Sequence, residues 1–578
     1  MTEPAERSKV EAIKDRSGHL RGTIAAELAD PGDSFDHDNQ VLLKFHGIYQ
    51  QDDRDVRSER TRAKAGLDYS CMVRAAVPGG ALTAEQYLAM DDLTRELADG
   101  SLRITTRQGI QWHFVAKADL APLLRQLNQK LVTTLAACGD VVRNITCCPA
   151  PLADREAAEV EVWARRLAEH LRPRTSAYYQ LWVDGERAVS AAEPVDPDDE
   201  PLYGTTYLPR KFKVGLAWPG DNCIDVYSQD VGIVPVIGED GLRGFTVLVG
   251  GGMGKTHNDD STYPRQADPL ATVAPADLVA VVETVVAIQR DHGNRTERDH
   301  ARLKYLIDAW GLPRFRVEVE RRLGHPLAEP EPLAWSGCDD HLGWHRQDDG
   351  TWFLGVGVQS GRVKDSAGLA LRSGLRAVIE RFSPGVRLTA RQDLLLTGLA
   401  EGDRGAVVKV LRDHGVVLAD ELPGLERNAL ACPALPTCGQ ALTEAERALP
   451  GLLSQLRDEL DQVDLADLAP HVRLTGCPNG CARPYSAEIG IVGRGKKSYD
   501  VHVGGDVAGT RLNGVFAENV PRDKLVEVLH PLFEHYRDAR ITDEAFGDFC
   551  DREGVDELRA RLGNESWVRQ KRQLANAG

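Results

Sequence analysis

Apolar and polar positions along this chain repeat on two different periods. Segments 84–97, 120–135, 157–171, 276–289 and 526–536 place apolar residues three and four apart, which predicts amphipathic helices. In the third of these, Val162, Trp163 and Leu167 fall at helical spacing and are expected in the core. The most apolar stretch, 278–288, carries Glu283 and is too short to span a bilayer, so it reads as a buried helix. Runs 42–48, 178–183 and 352–356 are rich in aromatic or apolar residues and predict short strands. The resulting class is α+β with mixed sheets.

Two patterns recur at one spacing. Leu102-Arg103-Ile104-Thr105-Thr106-Arg107-Gln108 returns 284 residues later as Val386-Arg387-Leu388-Thr389-Ala390-Arg391-Gln392. Arg143-Asn144, leading to Cys147-Cys148-Pro149, returns at the same distance as Arg427-Asn428, leading to Ala431-Cys432-Pro433. A third likeness, 247–251 against 501–505, has a different offset, so insertions intervene. The chain is an internal duplication with halves of roughly 71–335 and 336–565, a period too long for a solenoid.

Cysteines bring in chemistry. Cys432 and Cys438 form C-x5-C, and Cys477 and Cys481 form C-x3-C within Thr475-Gly476-Cys477-Pro478-Asn479-Gly480-Cys481. Four soft donors in two tight pairs suit one metal ion or one iron–sulfur cluster. Zinc favours shorter knuckles, so the spacing tilts toward a cluster, with structural zinc and disulfides as the alternatives. Cys148 is the counterpart of Cys432, but Asp154 stands where Cys438 would need a match, so the signature survives in one half only. Cys71, Cys138, Cys147, Cys148, Cys223, Cys338 and Cys550 are expected to be small buried residues.

Charge refines the picture. The 578 residues carry a net charge of −17, which argues against nonspecific binding to nucleic acid or an anionic membrane. Yet Arg74, Arg103, Arg107, Arg143, Arg210, Lys211 and Lys213 sit in strand-like or turn-like surroundings. In 103–107 and 211–213, period-two alternation would put like charges on one face, which calls for a polyanionic ligand. Gly250 to Thr256 imitates a phosphate loop but has Val249 where the first glycine belongs. No nicotinamide or flavin fingerprint exists, so any electrons come from outside. No apolar run follows the first residues, so no signal peptide is expected and the compartment is read as cytoplasmic.

The four cysteines in their motif, 103–111, Arg143-Asn144, 207–213, 293–296, Lys304-Tyr305 and 45–55 together resemble the sirohaem sulfite/nitrite reductase family. Within it, the likeness is to haemoprotein subunits of assimilatory sulfite reductases, over about residues 18 to 555. The resemblance implies a three-domain fold with pseudo-twofold duplication. Its expected parts are an N-terminal arm (1–70), a split ferredoxin-like domain (71–136 and 337–419), a sirohaem-binding α/β domain (137–336) and a cluster- and sirohaem-binding α/β domain (420–578). It implies sirohaem coupled to a [4Fe–4S] cluster held by Cys432, Cys438, Cys477 and Cys481, the last also bridging to the sirohaem iron. Arg74, Arg143, Lys211 and Lys213 would surround bound sulfite. Arg103, Arg107, Arg210 and Lys304 would engage the sirohaem carboxylates, with Gln111 and His113 as further pocket residues. The implied reaction is six-electron reduction of sulfite to sulfide. Segment 50–55 looks like the branch fed by an NADPH-dependent flavoprotein, with ferredoxin as the alternative donor. Nitrite reduction is the alternative activity, disfavoured by Lys213, and a zinc-bound scaffold is the non-enzyme alternative.

Overall fold

The computed structural model describes residues 7–152, 157–183 and 200–562. Asp154 lies outside them. The chain divides into two compact units, one from 1–252, 267–335 and 341–420, the other from 253–266, 336–340 and 421–578.

The first unit contains two five-stranded antiparallel sheets, one from each half of the duplication. In order across the first run Ile48–Asp52, Tyr69–Arg74, Ile110–Val115, Leu102–Ile104 and Arg362–Val363. Across the second run Gly343–Arg346, Trp352–Val356, Leu394–Leu399, Gly385–Leu388 and Ala81–Leu82. Each sheet thus ends in a two-residue strand lent by the other half: Arg362 pairs with Arg103, and Ala81 with Arg387. Glycines permit the crossing. Gly80 and Gly361 both hold φ +74°, and a Cβ there would sit 2.3 Å from Leu388 O and 2.1 Å from Ile104 O.

The copies match element by element. Ile110–Val115, Lys117–Asp119 and Leu120–Gln129 return as Leu394–Leu399, Glu401–Asp403 and Arg404–Asp413, every boundary moved by 284 residues. The turn between the first paired strands is also copied. Thr105 Oγ1 accepts from Arg107 N (3.2 Å) and Gly109 N (3.1 Å), as Thr389 Oγ1 accepts from Arg391 N (3.2 Å) and Asp393 N (3.0 Å). Gln108 and Gln392 take positive φ in both turns.

A larger mixed sheet in the first unit runs Asp268–Val273, Gly241–Val249, Val231–Gly238, Val214–Leu216, Thr146–Cys147. The second unit repeats it as Gly514–Pro521, Ser498–Val503, Ile489–Gly495, Val472–Thr475, Ala429–Ala431. In both, taken in that order, two antiparallel pairings are followed by two parallel ones. The expected α+β class and duplication are what the chain adopts. Helix Leu278–His292 lies in the first core and Leu525–Ala539 in the second.

Some local expectations fail. Run 178–183 is helix Ala177–Trp182, not a strand: Tyr178, Leu181 and Trp182 recur at helical spacing and all bury. Tertiary bonds fix it, with Thr134 N donating to Tyr178 Oη (3.0 Å) and Trp182 Nε1 to His46 Nδ1 (3.1 Å). Run 42–48 belongs mostly to helix His37–Leu43 and the turn after it, because Asp36 caps that helix by accepting from Asn39 N at 2.7 Å. The helix expected over 120–135 stops at Gln129. Leu167 is buried and Trp163 packs on the core, but Val162 is exposed. Residues 7–70 build helices and strands, and Ile13, Leu20 and Ile24 join the first unit's core.

The strand exchange yields a stability prediction. Gly361→Ala and Gly80→Ala each force a Cβ into a carbonyl at left-handed φ, so each should destabilise the first unit by roughly 2–4 kcal/mol. Thermal unfolding of the two variants checks this; unchanged Tm in both would show that the glycines are not needed for the crossing.

Candidate functional site

The second unit builds the four-sulfur site. Cys432 follows strand Ala429–Ala431, and its N–H donates to Leu474 O (3.2 Å) on the neighbouring strand. That strand ends at Thr475, and the chain turns through Gly476 to Cys477. Gly476 has no room for a side chain, since a Cβ would meet Ala434 Cβ and Thr443 O at 2.6 Å. Its N–H instead points at sulfur, donating to Cys432 Sγ at 3.3 Å. Asn479 Nδ2 lies 3.7 Å from Cys477 Sγ. Cys438 is tied back by its N–H to Ala434 O (2.9 Å). Gly480 (φ +61°) and Arg483 (φ +56°) close the turn that carries Cys481.

Cys432 and Cys477 are buried, Cys438 is half-buried and Cys481 is exposed. Burial pushes the Cys432 thiol well above the ordinary range, with further upward pressure from Cys481, Cys438 and Cys477. Burial and Cys481 likewise push Cys477 up to about 12. Cys432 and Cys477 ionise here only with positive charge placed among the sulfurs. Four cysteines with N–H donors aimed at two of their sulfurs fit a [4Fe–4S] cluster. The glycine-rich stretch finds its use here too: Lys255 N donates to Pro478 O (2.9 Å), and Gly254 lies against Asn479.

The basic residues belong to the first unit. On its first five-stranded antiparallel sheet, Val73 and Trp112 point into the core, while the opposite face carries cations. Cross-strand pairing lines up Arg74 with Gln111, Gln111 with Arg103, and Arg103 with Arg362. Gln111 sits between two guanidiniums. Turned one way its oxygen accepts from Arg103 Nη1 (3.3 Å), turned the other way from Arg74 Nη2 (2.6 Å). His113, two positions on, is fully buried, and neither ring nitrogen has a hydrogen-bond partner among the described residues. Burial, then Arg362, Arg103 and Arg74, hold its pKa well below the usual imidazole value.

Arg143 donates to Gly139 O from Nε and Nη2 (3.2 Å each). Arg74 Nη1 donates to Cys138 Sγ (2.9 Å), and Tyr49 hydrogen-bonds with both Cys138 and Arg143. Tyr49 and Cys138 therefore stand beside two expected substrate-facing cations, and no pattern in the sequence singles them out. Arg210 is pushed down to about 10 by burial and by Arg298, while Asp140 pulls the other way. Lys211 and Lys213 flank Phe212, which bridges to Val142, and Lys213 N donates to Asp230 Oδ2 (2.8 Å). Lys304 is buried, with Nζ 3.3 Å from Gly252 O.

Arg107 behaves differently from its expected partners. It lies beyond the end of its strand and donates to Gln229 Oε1 (2.8 Å), Val214 O (3.1 Å) and Asn144 O. These bonds make it a brace between the turn and the larger sheet. A buried basic face, an imidazole with idle nitrogens and a depressed guanidinium all fit an anionic, carboxylate-bearing group such as sirohaem.

A nitrite and sulphite reductase 4Fe-4S domain matches residues 138–327 and again 425–571. A nitrite/sulfite reductase ferredoxin-like half domain matches 64–130 and 345–414. The chain belongs to the nitrite and sulphite reductase family. The sulfite reductase [NADPH] hemoprotein beta-component of Myxococcus xanthus is 47% identical to it, over 96% of this chain and 97% of that protein. The Geobacillus kaustophilus protein of the same name is 44% identical, over 95% and 96%. The sulfite reductase [ferredoxin] of Synechococcus elongatus is 45% identical, over 96% and 91%. The solved structure of Mycobacterium tuberculosis NirA protein shares the fold, with a TM-score of 0.76 at 23% identity, over 96% of this chain and 98% of that one.

Cys438→Ser should remove most of the cluster. Iron and acid-labile sulfide in the purified variant should both fall by well over half, and full retention of both would take Cys438 out of the ligand set.

Proposed function

We propose that this chain reduces sulfite to sulfide at sirohaem and a [4Fe–4S] cluster. What carries this reading is near-full-length identity of 47% to a sulfite reductase hemoprotein component in a chain that also builds both the four-sulfur site and the basic face. Bound here, the two groups supply an iron that takes up sulfur and a source of single electrons, six of which, with six protons, convert bisulfite to hydrosulfide and three waters. Cys432, Cys438, Cys477 and Cys481 would hold the cluster. Arg103, Arg107, Arg210 and Lys304 would engage the sirohaem carboxylates, with Gln111 and His113 as further pocket residues.

Arg74, Arg143, Lys211 and Lys213 are the substrate-facing cations. Fixed positive charge offsets the anion on binding and stabilises each oxygen as it leaves. Guanidiniums stay protonated, so the proton donors are the two lysines. The ferredoxin-like half-domain matches and the two 4Fe-4S domain matches support the division into a split ferredoxin-like domain (71–136 and 337–419), a sirohaem-binding domain (137–336) and a cluster-bearing domain (420–578).

The donor is assigned to an NADPH-dependent flavoprotein, in line with the printed names of the Myxococcus and Geobacillus relatives. In segment 50–55, Gln50 accepts from Phe35 N (2.6 Å) and Asp52 grips Arg57, so the docking surface is sought in the remaining charged residues. Eleven free cysteines suit a reducing compartment, and the cytoplasm is the assigned location. No helix among the described residues is long and apolar enough to cross a membrane.

Protein purified from cells that make sirohaem should show strong visible absorption that changes on adding sulfite, and it should form sulfide with reduced methyl viologen. A colourless, inactive preparation would end the reading. Reconstitution with an NADPH flavoprotein reductase should support turnover; turnover with reduced ferredoxin alone would reassign the donor. Lys213→Ala should lower kcat/KM for sulfite by about 10²-fold or more while circular dichroism stays unchanged. Unaltered kinetics would remove Lys213 from the mechanism, and a kcat/KM favouring nitrite in the parent enzyme would favour the alternative substrate.

A further inference from the structure

The duplicated sheets hold a second constellation, in the half that lacks the cluster signature. Residues 214–230 correspond to 472–488 at a constant offset of 258. On this register Val214–Leu216 matches the first three residues of Val472–Thr475, and Val226–Ser228 matches Pro484–Ser486. Cys223 is then the counterpart of Cys481, just as Cys148 is that of Cys432.

The backbone keeps the correspondence bond for bond. Cys148 N donates to Leu216 O (3.1 Å) as Cys432 N does to Leu474 O (3.2 Å). Asp225 N to Asn222 O matches Arg483 N to Gly480 O, both 2.9 Å. Asp225 (φ +51°) and Arg483 (φ +56°) share the same left-handed corner. The turn that presents cluster ligands in the second unit is therefore present in the first.

Its donors differ. Pro219 stands where Cys477 would be, so a cubane has lost that sulfur. In its place Asp221 and His341 close in on Cys148 and Cys223, all four buried and with ligand atoms within 4.8 Å of one another. Asp221 Oδ2 and His341 Nε2 are 3.3 Å apart, and they lie 3.8 and 3.7 Å from Cys148 Sγ. A tetrahedral zinc with ordinary bond lengths gives N···O edges of about 3.3 Å and S···N or S···O edges of about 3.5 Å. Asp221 is already oriented, because its Oδ1 accepts from Cys223 N (3.1 Å) and leaves Oδ2 facing the other ligands. His341 is held from behind: its carbonyl lies where a Cβ on Gly355 would come within 1.9 Å.

We propose that Cys148, Cys223, His341 and Asp221 form a structural Zn²⁺ site, the single-ion descendant of a duplicated cluster site. Two thiolates, an imidazole and a carboxylate are a zinc donor set, and full enclosure leaves no open position for catalysis. The ion ties the 341 segment, from the second half of the sequence, to the first half's mixed sheet. It takes no part in electron transfer, since zinc has no accessible redox change.

Elemental analysis of the full-length holoprotein should find about one zinc per chain in addition to the iron. Cys223→Ser and His341→Ala should each lower zinc by at least about tenfold while iron and acid-labile sulfide stay at parental levels. Zinc-edge X-ray absorption of the unmutated protein should show a shell of two sulfurs and two lighter atoms, which decides the matter even if the variants fail to fold. A folded parent protein that lacks zinc, and retains none after incubation with zinc chloride and gel filtration, overturns the proposal. So does zinc that survives both substitutions, or an absorption shell without sulfur. Iron, sulfide and visible colour report on the catalytic reading separately, so the two can fail independently.

Discussion

Like charges cannot be buried together without a counter-charge, and this constraint bears on each unit's candidate site residues. In the second unit, burial and the neighbouring cysteines push the Cys432 and Cys477 thiols up. In the first, Arg74, Arg103 and Arg362 line a sheet face together with an imidazole that burial, and then their charge, keeps neutral. Ionising such thiols, or gathering such cations, in a low dielectric needs charge of the opposite sign. One calls for a cationic inorganic core and the other for a polyanion. The two demands are of opposite sign, which is what a cluster and a carboxylate-rich tetrapyrrole that binds an oxyanion would meet.

Duplication supplied the scaffold, and divergence decided where these demands fall. In the first copy Arg103 faces the basic row, but its counterpart Arg387 is neutralised by Glu161 at 3.0 Å. The mixed sheets diverge the other way, keeping four sulfurs in the second unit and two in the first. The backbone turns barely changed, as the paired hydrogen bonds show. Function was redistributed by exchanging side chains on a conserved frame, which is cheaper in folding terms than remaking turns whose glycines leave no space for a Cβ.

Much of this was legible in the sequence, for identifiable reasons. The cluster cysteines are close in sequence and bracketed by turn residues, so short-range spacing reports them. The duplication shows because 103–108 and 387–392 must form the same Thr-anchored turn. By contrast, aromatic composition pointed to a strand at 178–183, where burial of Tyr178, Leu181 and Trp182 on one side imposes a helix. Alternation was read through Arg107, although the strand stops at Ile104 and the guanidinium turns to Gln229 and two carbonyls. Cys148 and Cys223 are buried, as their small apolar character predicts, but the approach of His341 to Cys148 spans 193 residues of sequence and no local pattern reports it. Tyr49 and Cys138 were invisible for the same reason: only folding brings them to Arg74 and Arg143.

On the proposed assignment of Arg74, Arg143, Lys211 and Lys213 to the substrate, the division between arginine and lysine follows from what the reaction must move. Binding a small anion needs a field that does not change as protons are consumed, and guanidiniums provide it because they do not deprotonate in proteins. Removing three oxygens as water needs protons delivered at the same place, and an ammonium can release one. Arg74 and Arg143 are each held by a partner that fixes their position, Cys138 in one case and the Gly139 carbonyl in the other. Lys211 and Lys213 flank a bridge residue on an irregular segment, where the Lys213 N–H donates to Asp230 Oδ2. On that assignment, an electrostatic frame with proton-carrying groups on a separate segment would let the lysines recharge between successive electron transfers without disturbing the anion.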